Sequence, residues 1–436
     1  FKASGSVQRP LEGSGFDIRF RLDGPEIDTL LPLLDLILPM EGPYSFAGRF
    51  ADQPDRILID DIEIRSGRSD IGGKMSAYLG GKRPKVVADL HSDQIYLREL
   101  LPVNETERSS EKRKHVIPDY DLPIERMRAH DAEMVFRSKR LRTEAGDLGD
   151  LKFRASLKDG VFRLAPFRVQ SWDGALVKGD VTIDASQDIP SIDMELTADN
   201  VNHGLLLKQA GVAEIVEGLL DVTLRLSGDG RTRREFLGDA DGQLIIVAED
   251  GRIGSRRLDL WGSDLVTTML SPSWHAANVT KLNCLVANVD IEDGVARSDS
   301  LLMDTQRITI AATGALNLES EELNFVFAPR PKRASLISLT NPVRVRGTMA
   351  DPKVSVTVLP RSRTVAAGVG ALAGLINPAY LIFTWSQTSW GDANPCLSAV
   401  EKARAMKGRP VEEPIIQKEE PPVEYSPLSG CSRVRR

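Results

Sequence analysis

The sequence predicts a mainly β protein with short helices, organised as a meander of repeated strand-helix-strand units. Residues 175–184 alternate between an apolar and a polar set, which is the period-2 pattern of a strand with one dry face. In addition, residues 17–50 align on residues 193–226 without a gap. Each copy has the pattern of a strand, a helix, a glycine and a second strand, so the chain is built from an internal repeat.

The predicted helices lie in the middle of these two copies. In the first copy, apolar residues recur at helical spacing from Ile27 to Leu38, and Pro32 starts or kinks the helix. In the second copy, Asn202 suits the N-cap position and Gly218 suits the C-terminal stop. Both helices are short, so neither can cover a whole sheet.

Three hairpins on one pattern predict that the strands continue as a long antiparallel meander. Residues 69–84 match residues 175–190, with the same interval from glycine to proline, and residues 308–329 form a looser third version. Within the second β segment, Pro166 marks a bulge or an edge, because proline cannot donate to a ladder.

Composition shifts divide the chain into six segments. We expect a first β unit, an exposed crossing, a second β unit, a C-terminal β unit, a helical segment and a disordered tail. Their predicted bounds are residues 1–102, 103–126, 127–230, 231–360, 361–406 and 407–436.

One segment, residues 364–385, is apolar enough to suggest a membrane helix. Asn377-Pro378 interrupts it, which favours a soluble or interfacial helix over a spanning one. Because the chain begins at Phe1 without a charged and apolar leader, we expect it to be a fragment of a longer protein.

Charge and motifs argue against nucleic acid, cofactors, metals and catalysis. The net charge is −6, which gives no long-range attraction to nucleic acid. The five histidines lack metal-ligand spacing, and no nucleophile-elbow, phosphate-loop or dinucleotide motif occurs in a suitable context. The pairs Asp60-Asp61 and Glu321-Glu322 are predicted to be solvated turn carboxylates, and the basic runs 330–333 and 361–363 solvated turn charges. We therefore expect a protein that is not an enzyme.

What covers the dry face of the strands remains open at this point. Either a second sheet closes a sandwich, which composition alone favours, or the face lines a groove for an apolar ligand. The cleanest alternating sets give the candidate lining residues. These are Val177, Val181, Ile183, Ile192, Met194, Leu196, Ile308, Ile310, Phe325 and Phe327.

Eight stretches together carry a resemblance to a known family. In order they are residues 41–50, 65–100, 117–134, 151–185, 233–253, 282–305, 341–356 and 394–403. The chain resembles the AsmA family of Gram-negative envelope proteins, which belongs with TamB and YhdP to the bridge-type lipid-transfer superfamily.

The resemblance implies an elongated, curved antiparallel sheet whose apolar groove holds phospholipid acyl chains. It also implies an inner-membrane anchor upstream of residue 1, a periplasmic location, and a part in lipid transport and outer-membrane biogenesis. Family members often have cysteine where this chain has Cys284 and Cys396, so these two either pair in an oxidising compartment or remain free thiols. The alternative function is a non-enzymatic scaffold for outer-membrane proteins, with a closed β-sandwich core.

Overall fold

The structure is a computed structural model that describes most of the β-rich part of the chain. The described residues are 1–11, 14–25, 43–100, 115–117, 121–143, 146–172, 174–202, 215–254, 279–306, 308–332, 342–356 and 396. Twenty strands in these ranges form one hydrogen-bonded sheet, which confirms the predicted mainly β fold.

The strands are numbered β1 to β20 in chain order, and three short helices accompany them. The strands are β1 Lys2–Arg9, β2 Ser14–Gly24, β3 Tyr44–Gln53, β4 Arg56–Ser66, β5 Ser69–Tyr78, β6 Lys85–Ser92, β7 Ile95–Tyr96, β8 Asp131–Thr143, β9 Gly146–Lys158, β10 Val161–Gln170, β11 Leu176–Asp184, β12 Ser191–Asn202, β13 Ile215–Asp229, β14 Asp241–Gly254, β15 Val279–Glu292, β16 Val295–Thr305, β17 Ile308–Asn317, β18 Glu322–Pro331, β19 Val343–Thr348 and β20 Pro352–Val356. The helices are α1 Leu97–Leu100, α2 Ile124–Ala129 and α3 Arg233–Gly238.

Consecutive strands pair antiparallel along almost the whole chain, as the hairpin pattern predicts. The predicted hairpins correspond to β5–β6, β11–β12 and β17–β18, and the strands of the two aligned repeats correspond to β2–β3 and β12–β13. With neighbouring strands about 4.8 Å apart, the sheet extends for roughly 85 Å across its strands.

One junction departs from this pattern. β6 and the two-residue β7 both pair with β8 in parallel, and residues 97–130 lie between β7 and β8. A parallel pair requires such a crossover, because the chain must return to the end where the first strand began. The sequence did not predict this parallel junction. It joins an N-terminal meander, β1–β6, to a C-terminal one, β8–β20.

The two ends of the sheet are connected differently. At one end, β9–β10, β15–β16 and β19–β20 follow each other through two- or three-residue turns. Backbone hydrogen bonds also link successive turns there, from Ala185 N to the Gly160 carbonyl (3.0 Å) and from Leu318 N to the Gly294 carbonyl (2.8 Å). We call this the short-turn end, and the opposite one the long-connection end.

Several predicted elements lie outside the described residues. They are the helix of the first repeat, residues 203–214 of the second, the segment 364–385 and the tail from 407. The predicted helix end at Gly218 is wrong, because β13 begins at Ile215 and Gly218 lies within that strand. The bulge at Pro166 is confirmed, because the register of β10 shifts between Leu164 and Phe167 against both neighbouring strands.

Candidate ligand-binding face

The register of the sheet brings apolar residues of all the long strands onto one face. On β11 and β12, Val181 lies opposite Met194 and Ile183 lies opposite Ile192. Because side chains directly opposite each other in a ladder point to the same side, each alternating set continues into its neighbour. The same rule applies across the parallel junction, where Ala88 of β6 lies opposite Met134 of β8.

Following the partners strand by strand traces one row without a polar side chain from β1 to β20. We call it the apolar row. It contains Gly5, Ile18, Phe50, Ile59, Met75, Ala88, Met134, Ala155, Leu164, Val181, Met194, Leu226, Gly242, Ile291, Ala296, Leu316, Leu323, Gly347 and Pro352. We call the side of the sheet that carries this row the apolar face.

All ten candidate lining residues lie on the apolar face. Six belong to β11 and β12, and Ile308, Ile310, Phe325 and Phe327 occupy alternate positions of β17 and β18, in phase with Leu316 and Leu323 of the row. Ile192, Ile308 and Ile310 are buried, at 6, 2 and 3 % exposure, and the other seven are half-buried. The structure thus brings the ten onto one surface but buries them unequally.

No second sheet lies over this face among the described residues, because all twenty strands belong to the same sheet. The two-sheet sandwich that composition favoured is therefore not found in the described part of the chain. Val181, Met194 and Leu196 are half-buried, as expected for side chains that stand about 5 Å from their cross-strand neighbours.

Glycine on this face allows aromatic rings to lie across the strands. Gly314 of β17 lies opposite Phe325 of β18, and a Cβ at Gly314 would approach the Phe325 ring to 2.5 Å. The ring can therefore occupy the space above Gly314, next to Phe327, whose ring centroid lies 6.2 Å away. This arrangement presents flat apolar surface rather than a deep local pocket.

The opposite face of the sheet is charged, and we call it the polar face. Its cross-strand pairs include Arg49 with Asp17 (2.6 Å) and Lys85 with Glu133 (2.8 Å). Hydrogen bonding from the Arg49 guanidinium lowers the pKa of Asp17, and Lys139 lowers the pKa of Asp93 in the same way. These carboxylates stay ionised at neutral pH, so the polar face remains hydrated.

One area of the polar face is apolar and is covered by the chain itself. Its residues are Ile245 and Val247 of β14, Cys284 and Val286 of β15, and Leu302 of β16, and Cys396 packs on them. Cys284 and Cys396 form a disulfide with their Cα atoms 5.8 Å apart. We call this area the covered patch. The disulfide therefore holds Cys396 on the side of the sheet opposite the apolar face.

Next to the covered patch lies a buried carboxylate, Asp304. It is 1 % exposed and accepts hydrogen bonds from Asn283 Nδ2 (2.7 Å), Thr309 Oγ1 (2.5 Å) and Lys332 Nζ (2.7 Å). Lys332, in the basic run 330–333, is exposed and also pairs its ammonium group with this carboxylate. The buried charge of Asp304 thus has a partner, which is the usual condition for a buried charge.

Glu321 also differs from its prediction as a solvated turn residue. It is 1 % exposed, and its carboxylate accepts hydrogen bonds from the backbone N–H groups of Val116 (2.6 Å) and Ile117 (2.7 Å). His115 Nδ1 lies 3.9 Å away. The partners are more than 200 residues distant in the chain, so no local sequence signal could have identified this contact.

Within the described ranges, no group of three His, Cys, Asp or Glu side chains could hold a metal ion. His203 and His275 lie outside these ranges, as does the basic run 361–363. Likewise, no helix among the described residues is long and apolar enough to cross a bilayer.

The fold and the face define a class: mainly β proteins in which a single long sheet presents one continuous apolar surface. Comparison with known proteins identifies the family. The AsmA family model matches residues 61–301, which is more than half of the chain, so the protein belongs to the AsmA family. The matched part extends from β4 to β16.

A curated relative gives the same result. The AsmA family protein YhjG of Escherichia coli is 25 % identical over 425 residues, covering 92 % of this chain. The chain spans only 61 % of the length of that relative. No solved structure matches the chain.

Proposed function

We propose that this AsmA family protein shelters phospholipid acyl chains on its apolar face and passes them between the inner and outer membranes of a Gram-negative envelope. It would be held at the inner membrane on the periplasmic side and contribute to outer-membrane biogenesis. The role is one of binding and transfer, without a catalytic step or a cofactor.

The observation that carries this proposal is the apolar row, which runs through the sheet without a polar side chain. Each methylene kept out of water saves about 0.8 kcal/mol, so a dozen methylenes laid on such a surface gain roughly 10 kcal/mol. Since no polar group on the row fixes a position, a bound chain can move along it while its head group stays in water.

The side chains of the apolar face are buried to different extents, which supports a ligand-binding site rather than a closed protein core. Val181, Met194 and Leu196 keep part of their surface accessible, although they lie near the middle of the sheet. Monomeric proteins rarely expose a large contiguous apolar surface unless it binds something. An acyl chain is an occupant whose length and chemistry suit a continuous, unspecific apolar surface.

The experiment is lipid extraction and mass spectrometry of the purified protein, with two matched variants. Val181→Asp places a carboxylate on the apolar face, whereas Thr182→Asp places one on the next residue, which points to the polar face beside Arg163. We expect co-purified phospholipid in the unmodified protein and in Thr182→Asp, and at least a several-fold loss in Val181→Asp.

Uptake of a fluorescent fatty acid by delipidated protein provides the second readout. Absence of both co-purified phospholipid and probe uptake in the unmodified protein would contradict the proposal and favour the scaffold role. Equal loss of lipid in both variants would show that added charge, not the apolar face, causes the effect.

A further inference from the structure

The crossing that precedes β8 runs along the short-turn end of the sheet and is bound there at several points. We call its described residues, 115–117 and 121–130, the strap. At its start, Val116 and Ile117 donate to Glu321, in the connection between β17 and β18. Leu122 N then donates to the Arg231 carbonyl (2.9 Å), between β13 and β14.

The last part of the strap is bound closer to β8. Arg128 Nε donates to the Ala185 carbonyl (2.7 Å), between β11 and β12. Met127 of α2 is 7 % exposed, so the helix also buries apolar surface against the sheet. The strap thus contacts three connections of one rim, β17–β18, β13–β14 and β11–β12, before it enters β8 at Asp131.

The length of the strap can be compared with the path along the sheet between its two anchors. From β8 to the β17–β18 connection there are between nine and ten strand spacings, or roughly 45 Å. From Val116 to Asp131 the chain reaches at most about 40 Å, since α2 advances only about 1.5 Å per residue and the rest about 3.4 Å. The Glu321 side chain and its 2.6 Å hydrogen bond to Val116 N add to this reach, so the fully extended strap is about as long as the path along the sheet. The strap therefore limits how far this rim can extend.

Glu321, the anchor of the strap, combines a strained backbone with a buried carboxylate. Its backbone lies in the left-handed region, with φ of 60°, which is unfavourable for a glutamate. Its carboxylate is removed from water and bonded by two N–H groups, and such charge-assisted hydrogen bonds are among the strong ones. Backbone strain and a buried charge at the same residue are typical of positions with a function. The turn at Glu321 therefore serves to position this carboxylate.

We propose that the strap is a tie that limits how far the short-turn end of the sheet can extend, with Glu321 as its anchor. Without the tie, the rim between β8 and β18 is free to adopt a wider range of lengths. The shape of the apolar face at this end is then restricted by a segment outside the sheet. This inference does not depend on which ligand occupies the face.

Distance measurement between two nitroxide labels tests the tie. The labels are placed at Lys158→Cys and Lys353→Cys, two exposed positions near the short-turn end of β9 and β20, in a Cys431→Ser background. Glu321→Gly removes the carboxylate but suits a φ of 60°, so it releases the anchor without adding backbone strain. We expect a broader distribution that extends to longer distances than in the unmodified protein, because the rim is no longer restrained by the strap.

Two further variants complete the test. Glu322→Gln changes the adjacent, exposed carboxylate and should leave the distribution unchanged. Arg128→Met keeps an apolar stem but removes the contact with Ala185, and should broaden the distribution less than Glu321→Gly does. Hydrogen exchange of the Val116 and Ile117 amides shows whether Glu321→Gly has released the strap. If these amides exchange freely and the distance distribution is unchanged, the strap is not a tie. If the amides stay protected and the distribution is unchanged, Glu321 is not its anchor.

Discussion

The covered patch and the apolar face at β11–β12 are two apolar surfaces on opposite sides of the same sheet. Ile245, Val286 and Cys284 in the covered patch are 3, 3 and 0 % exposed, whereas Val181 and Met194 remain partly accessible. The difference lies in what packs on them: Cys396 packs on the covered patch, whereas the hydrophobic cluster around Ile95 on the apolar face includes Val177 but neither Val181 nor Met194. An apolar strand face is therefore not by itself a sign of protein core.

The sequences of the two regions differ in a way that matches this contrast. β11 and β12 alternate strictly, with charged residues between the apolar ones. In β14, residues 244–248 form an uninterrupted apolar run, and both of its alternate sets are buried or half-buried. A continuous run indicates a strand buried on both faces, and alternation indicates one buried or ligand-bearing face.

The largest expected effect concerns the disulfide that holds the cover in place. Replacing both Cys284 and Cys396 by serine removes a link between residues 112 apart in the chain, which in the chain-entropy model is worth about 4 to 5 kcal/mol. Denaturant unfolding of the variant and of the oxidised protein measures the difference. A loss below about 1 kcal/mol would mean that the cover is held by its packing alone.

The next largest effect separates the two surfaces directly. Val286→Asp buries an unpaired carboxylate under the cover and should cost about 3 to 5 kcal/mol of unfolding free energy. Met194→Asp places the same group on the accessible face and should cost about 1 kcal/mol or less, because water can still reach it. Chemical denaturation of both variants is the measurement. Similar losses in the two would indicate that β12 is also fully covered.

An intermediate effect is expected at the glycine that accommodates an aromatic ring. Gly314→Ala brings a methyl group within 2.5 Å of the Asn324 carbonyl and of the Phe325 ring, so one of them must move. We expect a destabilisation of about 1 to 3 kcal/mol. Gly80→Ala is a control for glycine loss alone, because no atom lies within 4 Å of its Cβ and its φ is not in the left-handed region. If Gly314→Ala left the free energy of unfolding unchanged, the close contact between Gly314 and the Phe325 ring would not contribute to stability.

The smallest effect is expected on the polar face. Because hydrogen bonding to Arg49 lowers the pKa of Asp17 below its ordinary 3.8, the folded state binds this proton less tightly than the unfolded state. Its contribution to stability is present above that value and is lost as pH falls through the lower, folded pKa. An NMR titration of the Asp17 carboxyl checks the direction, and Arg49→Leu should return the pKa towards 3.8. An Asp17 pKa that does not move in Arg49→Leu would mean that another group lowers it.

Much of the fold follows from the sequence because hairpins are local. The turn signals near residues 78–85 and 184–191 and the alternation around them specify both pairing and face. The bulge at Pro166 was predictable for the same reason, since a missing N–H has a direct local consequence.

The contacts that the sequence did not reveal are all remote. β8 pairs with β6 only after a crossing, and Glu321 meets the strap across more than 200 residues. Asp304 is bonded by Asn283 and Lys332, which lie on two different strands. The sequence around each of these residues has no pattern that distinguishes it from other polar stretches. The partners come together only through the strand pairing of the folded protein.

The antiparallel pairing of β8 to β20 has a consequence for how such a sheet can change in size. A hairpin contains two strands, so its gain or loss returns the chain to the same end and leaves every later residue on its original face. The width would change by about 10 Å each time, while each remaining strand keeps the neighbours it needs. An odd number of strands would reverse the ends, and only a crossover such as the one before β8 could correct that. Families with this architecture can thus vary in length in steps of one hairpin without redesigning the surface.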